Sequence, residues 1–364
     1  MGIFSVDNYF QEDANVELPL DVEVIEKDDV EYASEVPAEN EDPLAVAGEV
    51  AAQTESNWNS LMMSIGMHEL RYLKENGTEI IYEAVDIKAF KDKVVQFFKT
   101  LKDKIWSVVK NFVATFQSRV MKGEKFINKY SSEIKNGFNK LKDKKSDKKI
   151  KIYEFTDKVK SWTPDDAWKA MGCESIQSKL DSASSSSAYN SIIEKEDRTA
   201  TEMASKVLGT SVTADNYDKE VFKFFYGGDY EKKEKKIIDL DGIEKYMDVV
   251  RSGKSLKTVK ENYKKFEKNI NSIIKKAKGI KEFNVEGKSG ENNQNYMNRL
   301  QADIAYLKTA MNVTNKVYHG QLSAIKAQYK QARSICLACV YGENKVDKKL
   351  FGESHSFLSD VEFA

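Results

Sequence analysis

A helical apolar repeat between Phe90 and Val120 constrains the fold of this chain most strongly. Apolar residues recur there at every third or fourth position, and lysines occupy most of the opposite side. The repeat consists of Phe90, Val94, Phe97, Leu101, Ile105, Val108, Phe112, Phe116 and Val120. This spacing predicts an amphipathic helix of about eight turns. Beyond Gly123 the same spacing resumes at Phe126, Tyr130, Ile134, Phe138 and Leu141.

A second repeat of the same period lies near the C-terminus. It consists of Leu300, Ile304, Leu307, Met311, Tyr318, Leu322, Ile325, Tyr329 and Ala332. After residue 43 the chain contains a single proline, Pro164, so long helices are not interrupted. Residues 86–120 and 296–338 are therefore predicted to form the two longest helices and the main core. The predicted fold is mainly α, with long amphipathic helices packed as an elongated bundle or hairpin.

The N-terminal 49 residues differ sharply in charge from the rest of the chain. They hold fifteen acidic residues and one basic residue, Lys27, which gives a net charge of −14. The whole chain has a net charge of −1, so residues 50–364 carry +13. Isolated apolar residues in such an acidic segment cannot bury a core, which predicts a disordered acidic tail over 1–49. The remaining regions are predicted to be basic and helical over 50–160, mixed helical with loops over 161–290, and a long helix with an irregular tail over 291–364.

The most basic stretch is the candidate binding region. Residues 88–160 hold 21 lysines and arginines against eight acidic residues. Such a surface can neutralise phosphates without reading base sequence, although an ordinary solvated helix face has the same composition. A tethered acidic tail of opposite sign is expected to mask it. The candidate DNA-contact residues are Lys91, Lys93, Lys99, Lys102, Lys104, Lys110, Lys142, Lys144, Lys145, Lys148 and Lys149.

Catalytic signatures are missing from the sequence, and three histidines leave little capacity for general-base chemistry. We therefore expect a protein that is not an enzyme and has no cofactor and no metal site. Cys336 and Cys339 form a Cys-x-x-Cys pair, interpreted as two small apolar residues on a buried helix face. No run of about 18 apolar residues exists, so no membrane span is expected.

An acidic N-terminal segment ahead of a basic helical body resembles the internal head and prohead core proteins of large, phiKZ-like tailed bacteriophages. In that family a maturation protease cuts after glutamate, and its favoured site is Ser, Ala or Gly, then any residue, then Glu. Ala33-Ser34-Glu35 before Val36 fits this pattern, as does Ala47-Gly48-Glu49 before Val50. The same tripeptide pattern also ends at Glu79, Glu133, Glu174, Glu202, Glu244 and Glu291.

The resemblance implies a virion protein that is made in the host cytoplasm and packaged in the phage head interior. It implies other head or core proteins, the maturation protease and packaged DNA as partners, and cleavage after Glu35 or Glu49. Two alternatives stay open. One is a helical structural assembly protein whose acidic tail is a permanent docking peptide. The other is a membrane-active helical effector, because a helix with phenylalanines, Trp106 and lysines can lie on an anionic membrane.

Overall fold

The computed structural model describes residues 43–64, 87–153, 159–196, 199–227, 232–251, 254–279 and 293–341. The acidic residues 1–42, including Glu35 and Val36, lie outside the described residues. The predicted disorder of the tail therefore concerns residues that the structure does not describe. The described α-helices are α1 (Pro43–Ser64), α2 (Ile87–Asp143), α3 (Pro164–Met171), α4 (Cys173–Ser182), α5 (Ser186–Glu196), α6 (Ala200–Leu208), α7 (Tyr217–Tyr226), α8 (Glu244–Arg251), α9 (Lys254–Gly279) and α10 (Asn293–Tyr341), and a 3₁₀ helix spans Ile237–Asp239. Two short strands, β1 (Lys149–Tyr153) and β2 (Lys232–Lys236), form one antiparallel sheet.

The predicted fold class is confirmed, because the described chain is mainly α and is built on long helices. With 57 and 49 residues, α2 and α10 are the two longest described helices, as the two apolar repeats predict. The α2 repeat is buried or half-buried along its whole length. Gly123 does not interrupt α2, whose one break in helical geometry falls at Tyr130, with φ −117° and ψ 17°.

Helix α10 lies at the centre of the described core. It contacts every other described α-helix, including α4, where the Tyr306 hydroxyl donates to the Cys173 sulfur at 3.5 Å, and it also contacts β1. Between residues 296 and 340 the one described side chain that is exposed is Lys330. A helix that is buried on all sides is typical of the core of a large domain. The second predicted long helix is therefore the element around which the others pack.

Helix α2 packs closely against α10 because two of its glycines lie where the two helices are in contact. A Cβ added to Gly123 would lie 2.0 Å from the Tyr329 hydroxyl, which itself donates a hydrogen bond to the Arg119 carbonyl at 2.6 Å. A Cβ on Gly137 would lie 1.9 Å from the backbone carbonyl oxygen of Cys339. Gly123 therefore leaves room for the Tyr329 side chain, and Gly137 allows the backbones of the two helices to approach closely.

The described residues between 43 and 341 belong to one compact unit. The described parts of the predicted regions 50–160, 161–290 and 291–364 share a single core, since α10 of the third region packs against helices of the other two. The N-terminal boundary needs correction, because α1 begins at Pro43, ahead of the predicted end of the tail at residue 49. Leu44, Ala47 and Val50 are buried, so these last residues of the predicted tail contribute to the core.

Candidate nucleic-acid interface

The eleven candidate lysines do not form one patch. Lys91 and Lys142 are separated by 51 residues of α2, which corresponds to about 75 Å along a helix. Lys93 and Lys104 line a groove of about 390 Å³ between α1 and α2. Lys102 faces α9, where its ammonium lies 3.8 Å from the Glu267 carboxylate. The structure thus distributes the lysines of the N-terminal half of α2 over several faces.

The remaining lysines in that half have different surroundings. The ammonium of Lys91 lies 5.4 Å from the centre of the Tyr296 ring, a cation–π contact with the start of α10. Lys99 and Lys110 are exposed. Since the positive charges are separated and partly engaged by α9 and α10, this half of α2 supports at most diffuse contact with phosphates.

The other five candidate lysines meet a second group of lysines at the end of α2. Strand β2, with the sequence Lys-Lys-Glu-Lys-Lys, pairs antiparallel with β1, so that Lys149 is opposite Lys236. We call residues 140–151 and 232–236 together the basic ribbon. It holds eleven lysines against Asp143, Asp147 and Glu234, a net charge of +8. Sequence reasoning identified the first half of this surface and missed the second.

One strand anchors the basic ribbon to the core. Ile150 and Ile152 of β1 are buried, as the alternating sequence from Ile150 to Phe155 predicts. At the end of β1, the Tyr153 N–H donates to the Gln331 side-chain oxygen at 2.9 Å, and the Gln331 amide donates back to the Tyr153 carbonyl at 3.2 Å. Because β1 supplies the apolar contacts, β2 can be almost entirely lysine and still remain in place.

Acidic side chains neutralise only part of the positive charge of the basic ribbon. Lys149 and Lys236 stand directly opposite each other, an arrangement that disfavours pairing of the strands. Lys149 forms an ion pair with Glu234 at 3.2 Å, and Lys236 forms one with Asp147. The hydrogen bond and charge of each partner lower the pKa of Asp147 and raise the pKa of Lys236. These groups are exposed to solvent, so the pairs contribute little stability and the surface keeps its positive charge.

The turn from α2 into β1 holds a lysine in an unfavourable conformation. Lys145 has φ 47°, in the left-handed region that normally takes glycine at a helix C-terminus. Two backbone hydrogen bonds close this turn, from Ser146 N–H to Leu141 O at 2.9 Å and from Lys145 N–H to Lys142 O at 3.0 Å. A lysine in this conformation costs about 1 kcal/mol relative to glycine. The position therefore keeps a positive charge at the expense of stability.

The buried cysteines are consistent with their interpretation as core residues. Cys336 and Cys339 are fully buried and free, which confirms the predicted location on a buried helix face. Burial raises the pKa of Cys339 to about 12 and that of Cys173 to about 11, and it raises the pKa of Cys336 as well. Thiols with raised pKa values remain protonated and unreactive at neutral pH. Within the described residues no group of three His, Cys, Asp or Glu side chains could hold a metal ion.

His319 is the one described histidine, and it lies inside α10. Its Nδ1 lies 2.9 Å from the Asn315 carbonyl oxygen, so Nδ1 carries the proton and donates. Burial lowers the pKa of His319 to about 4. The ring is therefore neutral at physiological pH and has no access to solvent, which makes it a core residue rather than a surface acid or base.

The apolar face of α2 is covered inside the protein. Trp106 lies 4.4 Å from the Tyr263 ring of α9, and Phe116 lies 5.3 Å from the Tyr329 ring of α10, measured between ring centres. Of the large apolar side chains that the structure describes, only Met121 is strongly exposed, at 47%. In the described parts of the chain, no helix combines the length and the apolar character that a membrane crossing requires.

The structure describes one of the two candidate cleavage sites, the one at Glu49. Glu49 and Val50 lie inside α1, where Ala47 is 0% and Val50 is 8% exposed. The premise that a protease finds an extended chain at Glu49 is therefore wrong. Glu35 and Val36 lie outside the described residues. Of the six other copies of the tripeptide pattern, those ending at Glu133, Glu174, Glu202 and Glu244 have their glutamate in a helix.

Comparison with known proteins finds no matching family model, no matching curated protein and no matching solved structure. The class of the protein therefore rests on its own fold and surface. These define a mainly α-helical protein with a central buried helix and a lysine-rich ribbon at the C-terminal end of its longest helix.

Proposed function

We propose that this chain is a structural protein of a tailed bacteriophage that is packaged inside the head. In this proposal it is made in the host cytoplasm, assembles with other head or core proteins, and loses its acidic N-terminal segment to the maturation protease. The mature protein then contacts packaged DNA without sequence preference. It performs no catalysis and binds no cofactor.

The observation that carries this proposal is the division of charge at the start of α1. Residues 1–42 hold fourteen acidic residues and Lys27, a net charge of −13, so residues 43–364 carry +12. A change of sign at the point where the described fold begins allows one cut to convert a nearly neutral protein into a basic one. Long-range fields of this size determine non-specific binding to nucleic acid.

Cleavage after Glu35 fits the fold better than cleavage after Glu49. Eleven acidic residues and Lys27 lie in residues 1–35, so the chain that starts at Val36 has a net charge of +9. This cut leaves α1 intact. A cut after Glu49 would divide α1 and separate Leu44 and Ala47 from the core, which requires the helix to open first.

The basic ribbon is the surface best suited to DNA. It concentrates the candidate residues Lys142, Lys144, Lys145, Lys148 and Lys149 beside the lysines of β2. Lysine is a flexible point charge, which suits diffuse phosphate contact better than bidentate reading of bases. Binding that depends on released counterions is expected to weaken steeply as salt increases.

Two alternatives make different predictions. A helical assembly protein with a permanent docking tail would keep residues 1–35 in the assembled particle. A membrane-active effector would need an exposed apolar face, and the burial of the α2 repeat against α9 and α10 disfavours it. Binding of the full chain to anionic vesicles would separate that alternative from the other two.

Mass spectrometry of the protein recovered from its native particle tests the proposal. We expect an N-terminal peptide that begins at Val36, together with peptides that cover α1 without a cut after Glu49. An intact N-terminus at Met1 or Gly2 would favour the permanent docking tail. An N-terminus at Val50 would still support removal of an acidic propeptide, and it would show that α1 opens before or during maturation.

A further inference from the structure

We propose that the outer edge of β2 binds an extended acidic segment of a partner protein as a third strand. The partner segment is one in which carboxylates alternate with apolar residues. This inference rests on the geometry of the basic ribbon alone, and it does not depend on the proposed phage function.

The register of the two strands determines which backbone groups are open to a partner. The Ile237 N–H donates to the Lys148 carbonyl at 3.0 Å, which makes residues 148 and 237 a hydrogen-bonded pair. Because these pairs alternate along an antiparallel ladder, Lys233 and Lys235 also direct their backbone groups toward β1. The N–H and C=O groups of Lys232, Glu234 and Lys236 then point away from β1.

The two edges of the sheet differ in what covers them. By the same alternation the backbone of Tyr153 points away from β2, and there the Gln331 side chain both accepts from its N–H and donates to its C=O. The amide of Gln331 thus takes the place of a neighbouring strand. No described strand pairs with the outer edge of β2, since within the described residues the sheet consists of β1 and β2.

Charge determines which strand this edge can accept. Lysines on an edge strand normally prevent pairing with other strands. A second copy of β2 would place lysines opposite lysines, which is unfavourable. A strand with Asp or Glu at alternate positions would instead place two carboxylates opposite Lys233 and Lys235, which have the same two-residue spacing. The edge is therefore selective for an acidic strand, and backbone hydrogen bonds would supply the affinity in the manner of strand addition.

This sequence contains a segment of the required chemistry, which supplies a probe. Leu20-Asp21-Val22-Glu23-Val24 alternates apolar and acidic residues over five positions, and β2 also has five residues. The probe is a synthetic, fluorescently labelled peptide that spans residues 16–28. Two variant peptides serve as controls. Val22→Pro keeps the charge and disrupts strand pairing, and the double change Asp21→Lys and Glu23→Lys keeps strand propensity and reverses the charge.

The protein offers a matched pair of variants at the centre of β2. Glu234→Gln and Glu234→Pro both remove the same carboxylate, and only the proline also removes the N–H that points away from β1. Each is made in the full chain. Equal far-UV circular dichroism and equal thermal midpoints show that both retain the fold.

We expect the peptide to bind the wild-type and Glu234→Gln chains and to slow amide hydrogen exchange in residues 232–236. Affinity should fall at least tenfold for the Glu234→Pro chain and for each variant peptide. Residues 20–25 of the chain could themselves compete with the peptide for the edge of β2. The titration is therefore repeated on the full chain carrying Val22→Pro, and tighter peptide binding by that chain also supports the proposal.

Three results would overturn the proposed strand addition. They are no binding to either chain, equal affinity of the wild-type and Val22→Pro peptides, and equal binding by the two Glu234 variants. The last two would indicate diffuse attraction between charges. That outcome would leave the proposed DNA contact untouched, because DNA contact requires the charge of the ribbon and not its open edge.

Discussion

The helices α2 and α10 have similar lengths and similar apolar repeats, yet they are buried to different extents. One side of α2 is buried and the other carries lysines into solvent, whereas α10 is surrounded on all sides. The positions between the apolar residues make the difference. In α2 they are mainly Lys, and in α10 they include Thr314, Asn315 and Gln321, which are neutral and can be buried.

Three polar side chains of α10 form hydrogen bonds inside the core. The Thr314 hydroxyl donates to the Ala310 carbonyl at 2.8 Å, and the Tyr318 hydroxyl donates to the Val259 carbonyl of α9 at 2.8 Å. The Gln321 amide donates to the Trp162 carbonyl at 3.2 Å. Since burial without a partner costs about 1–3 kcal/mol per group, these bonds allow a polar helix to occupy the centre. We therefore expect substitutions in α10 to affect stability and substitutions on the open side of α2 to affect binding.

The largest expected effect is a truncation in α10. Leu307 is 1% exposed, so Leu307→Ala should lower the free energy of unfolding by about 2–5 kcal/mol. Phe112 of α2 is only partly buried, and its ring stacks on Phe116 at 5.5 Å. Phe112→Ala should therefore cost less, about 1–2 kcal/mol. Chemical denaturation of both variants measures the difference, and a larger loss for Phe112→Ala would contradict the comparison.

Acid should destabilise the centre of α10 through His319. The pKa of His319 is about 4 in the folded protein and about 6.5 in an unfolded chain. Below pH 6.5 the unfolded chain therefore binds more protons, and the stability contribution of the neutral ring is lost as the pH falls toward 4. The full loss is about 3 kcal/mol. His319→Gln should flatten this part of the stability–pH curve, whereas parallel curves for the two proteins would exclude the effect.

Glycine positions allow a matched test of the contact between α2 and α10. Gly137→Ala places a methyl group against the Cys339 backbone and should cost about 1–3 kcal/mol. Gly48→Ala is the control, because the added Cβ in α1 meets no atom within 4 Å. There the better helix propensity of alanine should raise stability by up to about 1 kcal/mol. Thermal melts that shift in the same direction for both variants would contradict the close approach of the two helices.

The smallest effect is expected at the turn of the basic ribbon. Lys145→Gly relieves the left-handed conformation and should raise the free energy of unfolding by about 0.5–1 kcal/mol. The same change should weaken DNA binding and reduce its salt dependence by roughly one charge. Lys144→Gly is a suitable control, since it removes the neighbouring charge without relieving that strain. A loss of stability for Lys145→Gly would contradict the strain.

Local patterns in the sequence predict much of this fold. The apolar repeats predict both long helices, Thr163-Pro164 predicts the start of α3, and the alternation after Ile150 predicts β1. The Asp166 carboxylate accepts hydrogen bonds from the Thr163 N–H at 2.7 Å and from its hydroxyl at 2.9 Å, an interaction confined to four residues. Features determined by such short spacings are readable from a single sequence.

The features that were missed depend on distant partners. Strand β2 has no apolar alternation, and it forms because β1, about 80 residues earlier in the chain, supplies the buried face. The distribution of the candidate lysines over several faces depends on where α1, α9 and α10 pack. Likewise, the predicted end of the tail at residue 49 follows the acidic side chains, whereas Leu44, Ala47 and Val50 are buried against helices that are distant in sequence.

In the proposed function, the acidic N-terminal segment weakens the binding of the basic helical body to DNA. The direct measurement compares the DNA affinity of the full chain with that of the chain starting at Val36, over a series of salt concentrations. Equal helix content of the two by circular dichroism serves as the control. We expect the chain from Val36 to bind double-stranded DNA more tightly at low salt, with the difference disappearing at high salt. Equal affinities at low salt would contradict the claim.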